Sequence, residues 1–448
     1  MIILHYALGF PPYRSGGMTK FCVDLMIQQA KEGHSVALIW PGQIGFINKE
    51  VSIKKHNNVS LNNQSVYSFE IINPLPISYD EGISNISMFT ANLGKGAYDQ
   101  LLDFFHPDII HLHTLMGLHK SFLQSAKERK IRLVFTAHDF FPICPKVTVY
   151  RHEAICSCVK SQSECGMCNA TALSIRKIKL LQSPLYRDLK DSIIIKKLRK
   201  QHRDTYLSGK AEDDKIKSVG TAADYKSLRN YYYSLLKMVD IIHYNSNVTK
   251  NVYESVFNFP NNRIISITHA HIRDNRKIKN FSKDKLHIRY LGPQSGAKGY
   301  FLLREALDDL WSKRQNFCLD IHFVPTEKVP YIQIHDRYSY KDLKKIFDET
   351  DVLIAPSILY ETFGFTVLEA LSYGVPVIIS GTVGAKDILT EGSSIVIDSI
   401  SAKKLSVVLQ NLTAEKLRYM NKKIVENQTI LQIENMSKII EKTCYGWQ

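Results

Sequence analysis

The sequence predicts an α/β protein made of two Rossmann-like, doubly wound parallel-sheet domains that face each other across a cleft. Three observations carry this. The chain has 448 residues, too many for one ordinary hydrophobic core and suited to two. Short runs rich in Val, Ile and Leu recur along it with helical stretches between them. These runs lack the polar alternation of a half-solvated strand, which is the pattern of parallel strands buried on both faces.

In the first half the runs lie at 2–8, 35–40, 108–113, 132–138 and 240–245. In the second they lie at 287–292, 318–323, 352–356, 375–380 and 394–397. The apolar start, Met1–Gly9, lacks a basic leader and reads as the first core strand of a cytoplasmic protein. After it come Pro11-Pro12-Tyr13-Arg14-Ser15-Gly16-Gly17 and a helix with Phe21, Leu25 and Met26 on its apolar side. A polar, basic stretch at 271–284 marks the domain change. The expected domains are therefore 1–275 and 285–425, with a C-terminal helix at 426–448 that packs back on the first domain. The first domain holds a cysteine loop (144–168) and a basic helical insertion (170–238).

The composition is globular, 44% hydrophobic and 23% charged, and no apolar run reaches the ~20 residues of a membrane span. The net charge of +15 calls for an anionic partner. Nucleic acid is not expected, because no zinc-finger, helix-turn-helix or aromatic RNA-binding signature is present. Much of the charge falls between residues 172 and 239, where Lys and Arg outnumber Asp and Glu two to one. Arg187, Lys190, Lys196, Lys197, Arg199, Lys200 and Arg203 lie close to Leu185, Leu189 and Ile193–Ile195. A basic amphipathic helix of this kind suits an anionic membrane surface; a solvated surface helix is the plainer alternative.

Of eight cysteines, Cys144, Cys156, Cys158, Cys165 and Cys168 cluster. Cys165-Gly-Met-Cys168 gives two thiolates at a metal-binding spacing. Cys144, Cys156, Cys165 and Cys168 make a candidate structural zinc site, with Cys158 as a substitute for Cys156. Free thiols or disulfides are the other readings.

Three further segments point to ligand chemistry. Gly16-Gly17 at a helix start lets backbone N–H groups approach an anion, although a tight turn would need the same residues. His138 follows a buried strand. The stretch Glu361-Thr-Phe363-Gly364-Phe365-Thr-Val-Leu-Glu369 runs from a loop into a helix that Gly374 closes. Glu361 and Glu369 offer carboxylates suited to sugar and ribose diols.

Taken together, Glu-x-Phe-Gly-x-x-x-x-Glu followed by Gly-x-Pro-Val resembles the nucleotide-sugar signature of family-4 retaining glycosyltransferases, which have the GT-B fold. The Pro-Pro-x-x-x-Gly-Gly loop, Gly33-His34-Ser-Val, Pro107-Asp-Ile-Ile-His-Leu-His113 and Thr136-Ala-His138-Asp139 resemble the same family, in the same order.

The resemblance implies that Glu361 meets donor-sugar hydroxyls and Glu369 grips the ribose. It implies that backbone N–H groups around Phe363, Gly364 and Phe365 lie by the sugar and phosphates. Gly16 and Gly17 would approach the diphosphate or acceptor, and His138 the donor sugar. Lys298, in Leu291-Gly292-Pro-Gln-Ser-Gly-Ala-Lys298-Gly299, is the expected diphosphate cation. Pro293 stands where the family places an arginine, and Arg14 is a candidate replacement.

The implied activity is hexosyl transfer with retention, from a nucleotide-diphosphate sugar to a lipid-linked or oligosaccharide acceptor. Cell-envelope polysaccharide biosynthesis (O-antigen, lipopolysaccharide or capsule) is the expected setting, with the protein peripheral on the inner face of the cytoplasmic membrane. No catalytic cofactor is expected, since no Asp-x-Asp falls where the donor should sit. A GT-B epimerase is the alternative, distinguished by donor turnover without acceptor.

Overall fold

The computed structural model describes residues 1–45, 47–189, 192, 218–281 and 285–446. The apolar runs do form the centres of two parallel sheets. The first sheet contains β1 (Ile2–Tyr6), β2 (Ser35–Pro41), β3 (Ser52–Leu61), β4 (Gln64–Ile72), β5 (Ile109–Leu112) and β6 (Arg132–Ala137). A two-stranded ribbon, β7 (Tyr150–Arg151) and β8 (Ala154–Ile155), follows outside it. β9 (Ile241–Tyr244) and β10 (Asn262–Ile264) complete the sheet, in the order β10-β9-β6-β5-β1-β2-β4-β3. Its strands are parallel except for the β3–β4 hairpin.

The second sheet is parallel throughout. It contains β11 (Leu286–Arg289), β12 (Phe317–Ile321), β13 (Ile332–Ile334), β14 (Val352–Ala355), β15 (Val377–Ser380) and β16 (Ser394–Ile397), in the order β13-β12-β11-β14-β15-β16.

The strand order reverses beside β1 in one sheet and beside β11 in the other, since β1 lies between β5 and β2 and β11 between β12 and β14. Ligand crevices in such sheets open beyond the carboxyl ends of the strands at these reversals. The glycine loop leaves β1, and the segment with Lys298 leaves β11. His138 follows β6 and Glu361 follows β14. Topology thus brings segments far apart in sequence to one place.

The β3–β4 hairpin and the short edge strands β10 and β13 are absent from the sequence reading. β3 is polar and largely exposed, as an edge strand can be. Its turn is Asn62-Asn63, with φ of 47° and 65°, the left-handed geometry that two-residue hairpins favour and asparagine tolerates.

The two domains share a hydrophobic core. Ile3, Phe21, Leu25 and Val134 of the first cluster with Val367, Leu371 and Val377 of the second and with Ile433, Met436, Ile440 and Tyr445. The helix Ile433–Ile440 thus lies against the helix Gly17–Lys31. Ser437 donates to Glu32 at 2.7 Å, and the Arg132 side chain donates to the Cys444 carbonyl at 2.8 Å.

Within the basic insertion the described residues form the helices Ile175–Leu181, Pro184–Leu189 and Ala222–Leu236. The last is a core helix. Tyr232 is buried against Phe141, and Tyr233 stacks on Phe257. Lys190, Ile193–Ile195, Lys196, Lys197, Arg199, Lys200 and Arg203 lie outside the described residues, as does the Arg187 side chain.

Candidate active site

The second domain supplies a wall of paired charges. Gly299, at φ 74°, caps the helix Tyr300–Trp311. A Cβ there would stand 1.9 Å from the Pro356 carbonyl oxygen, so only glycine lets the two loops meet this closely. The contact sets Lys298 beside the loop after β14, with Lys298 Nζ 3.1 Å from Glu361 Oε2. The Ser357 hydroxyl donates to the other oxygen of Glu361. Tyr290 holds the Lys298 loop from below, donating to the Pro293 carbonyl at 2.8 Å.

Glu369 is not the solvated helix residue that its charge alone would suggest. It is 4% exposed, and His269 Nε2 donates to its Oε1 at 3.1 Å. The His271 amide donates to His269 Nδ1, which leaves Nε2 as the protonated nitrogen. Tyr340 lies 5.0 Å from His269, and His271 stacks on Tyr340 at 4.4 Å. Burial and the Glu369 carboxylate push the Tyr340 hydroxyl up to about 12.

Two helix starts meet where the domains touch. The helix Phe365–Ser372 begins after Gly364, at φ 107° and with no side-chain cap. The helix Gly17–Lys31 begins after Gly16, at φ 109° and equally uncapped. A Cβ on Gly17 would stand 3.3 Å from the Phe365 ring. The first N–H groups of a helix have no partner within it and favour an anion. Phe363 is a core side chain, 3% exposed, so only its backbone is available to a ligand.

The first domain's wall is made of histidine. His138 Nε2 lies 3.2 Å from His113 Nδ1, and the His138 ring packs 4.8 Å from Phe21. Burial lowers the His138 imidazole to about 3, so it is neutral near pH 7. The Thr362 hydroxyl donates to the His138 carbonyl at 3.0 Å. Glu361 and His138 are therefore linked through one residue across the domain boundary. His138 makes no bond to Asp139, whose carboxylate accepts from the Phe141 amide. Burial raises the Asp139 carboxyl to about 6. Arg14 folds back, donating to the Leu8 carbonyl at 3.1 Å and covering the Tyr79 ring.

The loop that follows gathers the cysteines. Cys144, Cys156, Cys165 and Cys168 interact electrostatically with one another, and Cys165 and Cys168 share one helical turn. Burial pushes the Cys144 thiol up to about 11 and Cys165 to about 12. Arg229, 8% exposed, donates to the carbonyls of Ile143 and Val159, beside the same thiols. Arg229 is thus a buried cation next to these thiols, although the groups of three or more described side chains whose ligand atoms lie within 4.8 Å of one another include none of the four cysteines. The Cys158 side chain lies outside the described residues.

Sequence reasoning missed His269, His271, Tyr338 and Tyr340. They stand in the linker and in the loop after β13, outside any motif. The only signal is the alternation His269-Ala-His271 in the segment where the domains change.

Two family models match this chain. "Glycosyltransferase Family 4" matches residues 15–157, and "Glycosyl transferases group 1" matches residues 330–429. Among solved structures, Anabaena HepE in complex with UDP is similar over 100% of both chains, at 12% identity and a TM-score of 0.56. Sucrose-phosphate synthase from Thermosynechococcus elongatus matches over 98% of this chain and 97% of its own, at 11% identity and a TM-score of 0.55. A curated relative, an uncharacterized 41.2 kDa protein in the cps region of Klebsiella pneumoniae, is 28% identical over 139 residues. That match spans 29% of this chain and 38% of the relative's length. With a glycosyltransferase model in each domain and two Rossmann-like sheets meeting at their carboxyl ends, the chain is a glycosyltransferase of the GT-B fold.

Proposed function

We propose that the protein transfers a hexose, with retention, from a nucleotide-diphosphate sugar to a lipid-linked or oligosaccharide acceptor in cell-envelope polysaccharide synthesis. The observation that carries the donor assignment is the meeting of charge and helix ends at the domain boundary. Lys298 and the uncapped starts of two helices offer positive potential to a diphosphate. Glu361 lies within reach of Lys298, so a sugar joined to that diphosphate meets a carboxylate acceptor for its hydroxyls.

Glu369 lies deeper, among His269, Tyr338 and Tyr340. This is an environment suited to a ribose and a flat base. HepE, which binds UDP and UDP-glucose, supports a uridine nucleotide as the first donor to try. In the transfer itself, Lys298 and the helix starts offset the charge that develops on the leaving diphosphate. The same diphosphate takes the acceptor's proton as the new glycosidic bond forms on the face it leaves.

Two further readings rest on this one. The cps-region relative supports a polysaccharide setting. Leu180, Leu181, Leu185 and Leu189 are exposed on adjoining short helices beside the exposed Arg176 and Lys177. That surface favours contact with anionic lipid and so a membrane-bound acceptor. The four cysteines would hold a structural zinc that fixes the loop after His138.

The test is transfer from a panel of radiolabelled nucleotide sugars into cell-envelope lipid extract, with the anomeric configuration of the product read by NMR. Transfer with inverted configuration would overturn retention. Donor consumption that does not depend on acceptor would favour the epimerase reading instead.

A further inference from the structure

Five histidines of the first domain are joined in one unbroken run of hydrogen bonds. His243 Nε2 faces the Ile265 carbonyl at 2.7 Å, and His243 Nδ1 faces Thr136 Oγ1 at 2.9 Å. Thr136 Oγ1 faces His111 Nε2 at 2.7 Å, and His111 Nδ1 faces the Tyr445 hydroxyl at 2.7 Å. Gln29 spans the next gap, with Nε2 at 3.1 Å from that hydroxyl and Oε1 at 2.8 Å from His5 Nε2. His5 Nδ1 faces His113 Nε2 at 3.0 Å, and His113 Nδ1 faces His138 Nε2 at 3.2 Å. The four inner histidines, Thr136 and Gln29 are fully buried.

The direction of such a run is decided by its end. A carbonyl only accepts, so His243 Nε2 carries a proton and its Nδ1 accepts from the Thr136 hydroxyl. Thr136 oxygen then accepts from His111 Nε2–H, and His111 Nδ1 accepts from the Tyr445 hydroxyl. The Tyr445 oxygen must accept from Gln29. The Gln29 amide is oriented that way, with its nitrogen toward Tyr445 and its oxygen toward His5. The middle of the run therefore agrees with a direction deduced from its far end. Continuing, His5 Nε2–H donates to Gln29, His113 Nε2–H to His5, and His138 Nε2–H to His113.

We infer that this wire sets the proton on His138, which therefore presents a bare Nδ1 as a hydrogen-bond acceptor at the strand end whose carbonyl meets Thr362. Gln29, Thr136 and Tyr445 are positioning residues that act through it. None of the described residues donates to His138 Nδ1, so that lone pair is left for a substrate hydroxyl. Both ring nitrogens of His5, His111, His113 and His243 are each used once, as donor or as acceptor, so an additional proton has no place on these four rings. Burial agrees, holding His5 and His243 at about 4. The nitrogens of His5, His111 and His113 are close enough to hold a metal ion. The wire leaves no lone pair there for one.

The inference rests on the proposed function only for what Nδ1 meets; the tautomer is testable without substrate. Long-range proton–nitrogen correlation spectra of ¹⁵N-histidine-labelled full-length protein at pH 7.5 should show His138 wholly in the Nε2–H form. Tyr445→Phe removes the acceptor of the Gln29 N–H group and frees the amide to turn. If it turns, it donates to His5 and reverses His5, His113 and His138 together. The expected result is a measurable Nδ1–H population at His138, with kcat/KM down about tenfold, the scale of one lost hydrogen bond. Gln29→Glu still accepts from His5, so it keeps His138 in the Nε2–H form.

Three results would overturn the wire: a charged or mixed His138 in the unaltered protein, a His138 tautomer unmoved by Tyr445→Phe in a folded variant, or shifts of the His5, His111 and His113 rings on adding Zn²⁺. Reversed tautomers with unchanged transfer would leave the wire standing and remove His138 from the reaction.

Discussion

The two walls of the cleft handle charge in opposite ways. The second domain holds its carboxylates against donors, Glu361 in an ion pair with Lys298 and Glu369 accepting from the His269 imidazole. The first domain keeps its polar groups neutral, with five histidines bonded in sequence and none able to gain a proton cheaply. A pair of opposite charges can exchange partners with a charged ligand at little cost. A neutral, directional network recognises where hydroxyl protons point. The difference fits a molecule that is anionic at one end and a neutral sugar at the other.

The sharpest way to break this comparison is on the charged side. Glu361→Ala removes the sugar-facing carboxylate and leaves Lys298 unpaired, and should lower kcat by about a thousandfold or more, as measured by radiolabel transfer. Activity within tenfold of the unaltered protein would remove Glu361 from the site. Lys298→Ala should cost on the order of a hundredfold in kcat, with a smaller change in the donor's KM, because its charge matters most as the diphosphate leaves. A change confined to KM would make it a binding residue only.

The neutral side answers to pH. His5 and His243 are depressed from about 6.5 to about 4, so between those values the unfolded chain takes up protons that the folded chain refuses. Stability is full above pH 6.5 and is lost as pH falls toward 4. Urea unfolding at pH 7.5 and pH 5 should differ by roughly 2 kcal/mol or more, and equal midpoints would contradict the neutral wall. The smallest effect belongs to the seam between the walls. Gly17→Ala sets a methyl group 3.3 Å from the Phe365 ring, a contact relieved by a slight shift. It should raise the donor's KM only a few-fold.

The cysteine loop lies behind the neutral wall and is checked separately. Purified protein should hold about one zinc per chain, and Cys165→Ser should lower that content and the melting temperature together.

How much of this the sequence disclosed depended on where each side chain points. The inner strands were readable because both faces are buried, as at Val377–Ser380. β3 escaped because an edge strand has no need of an apolar run, and its Asn62-Asn63 turn was the only mark. Glu361, Lys298 and His138 stood in recognisable segments, and the structure sets all three along one boundary. Their partners were not readable. His269 pairs with Glu369 from a hundred residues away, and Gln29 meets Tyr445 from the other end of the chain. Such contacts follow from topology, which short-range pattern does not encode.

The helix Ile433–Ile440 and Tyr445 fill the core of the domain that holds residue 2. During synthesis that domain leaves the ribosome first, yet its core lacks these residues until the second domain has been made. The two halves therefore do not mature strictly one after the other, and the histidine run closes only when Tyr445 arrives. A ribosome-stalled chain lacking residues 433–446 should expose the apolar face of the helix Gly17–Lys31 and need protection there until translation finishes.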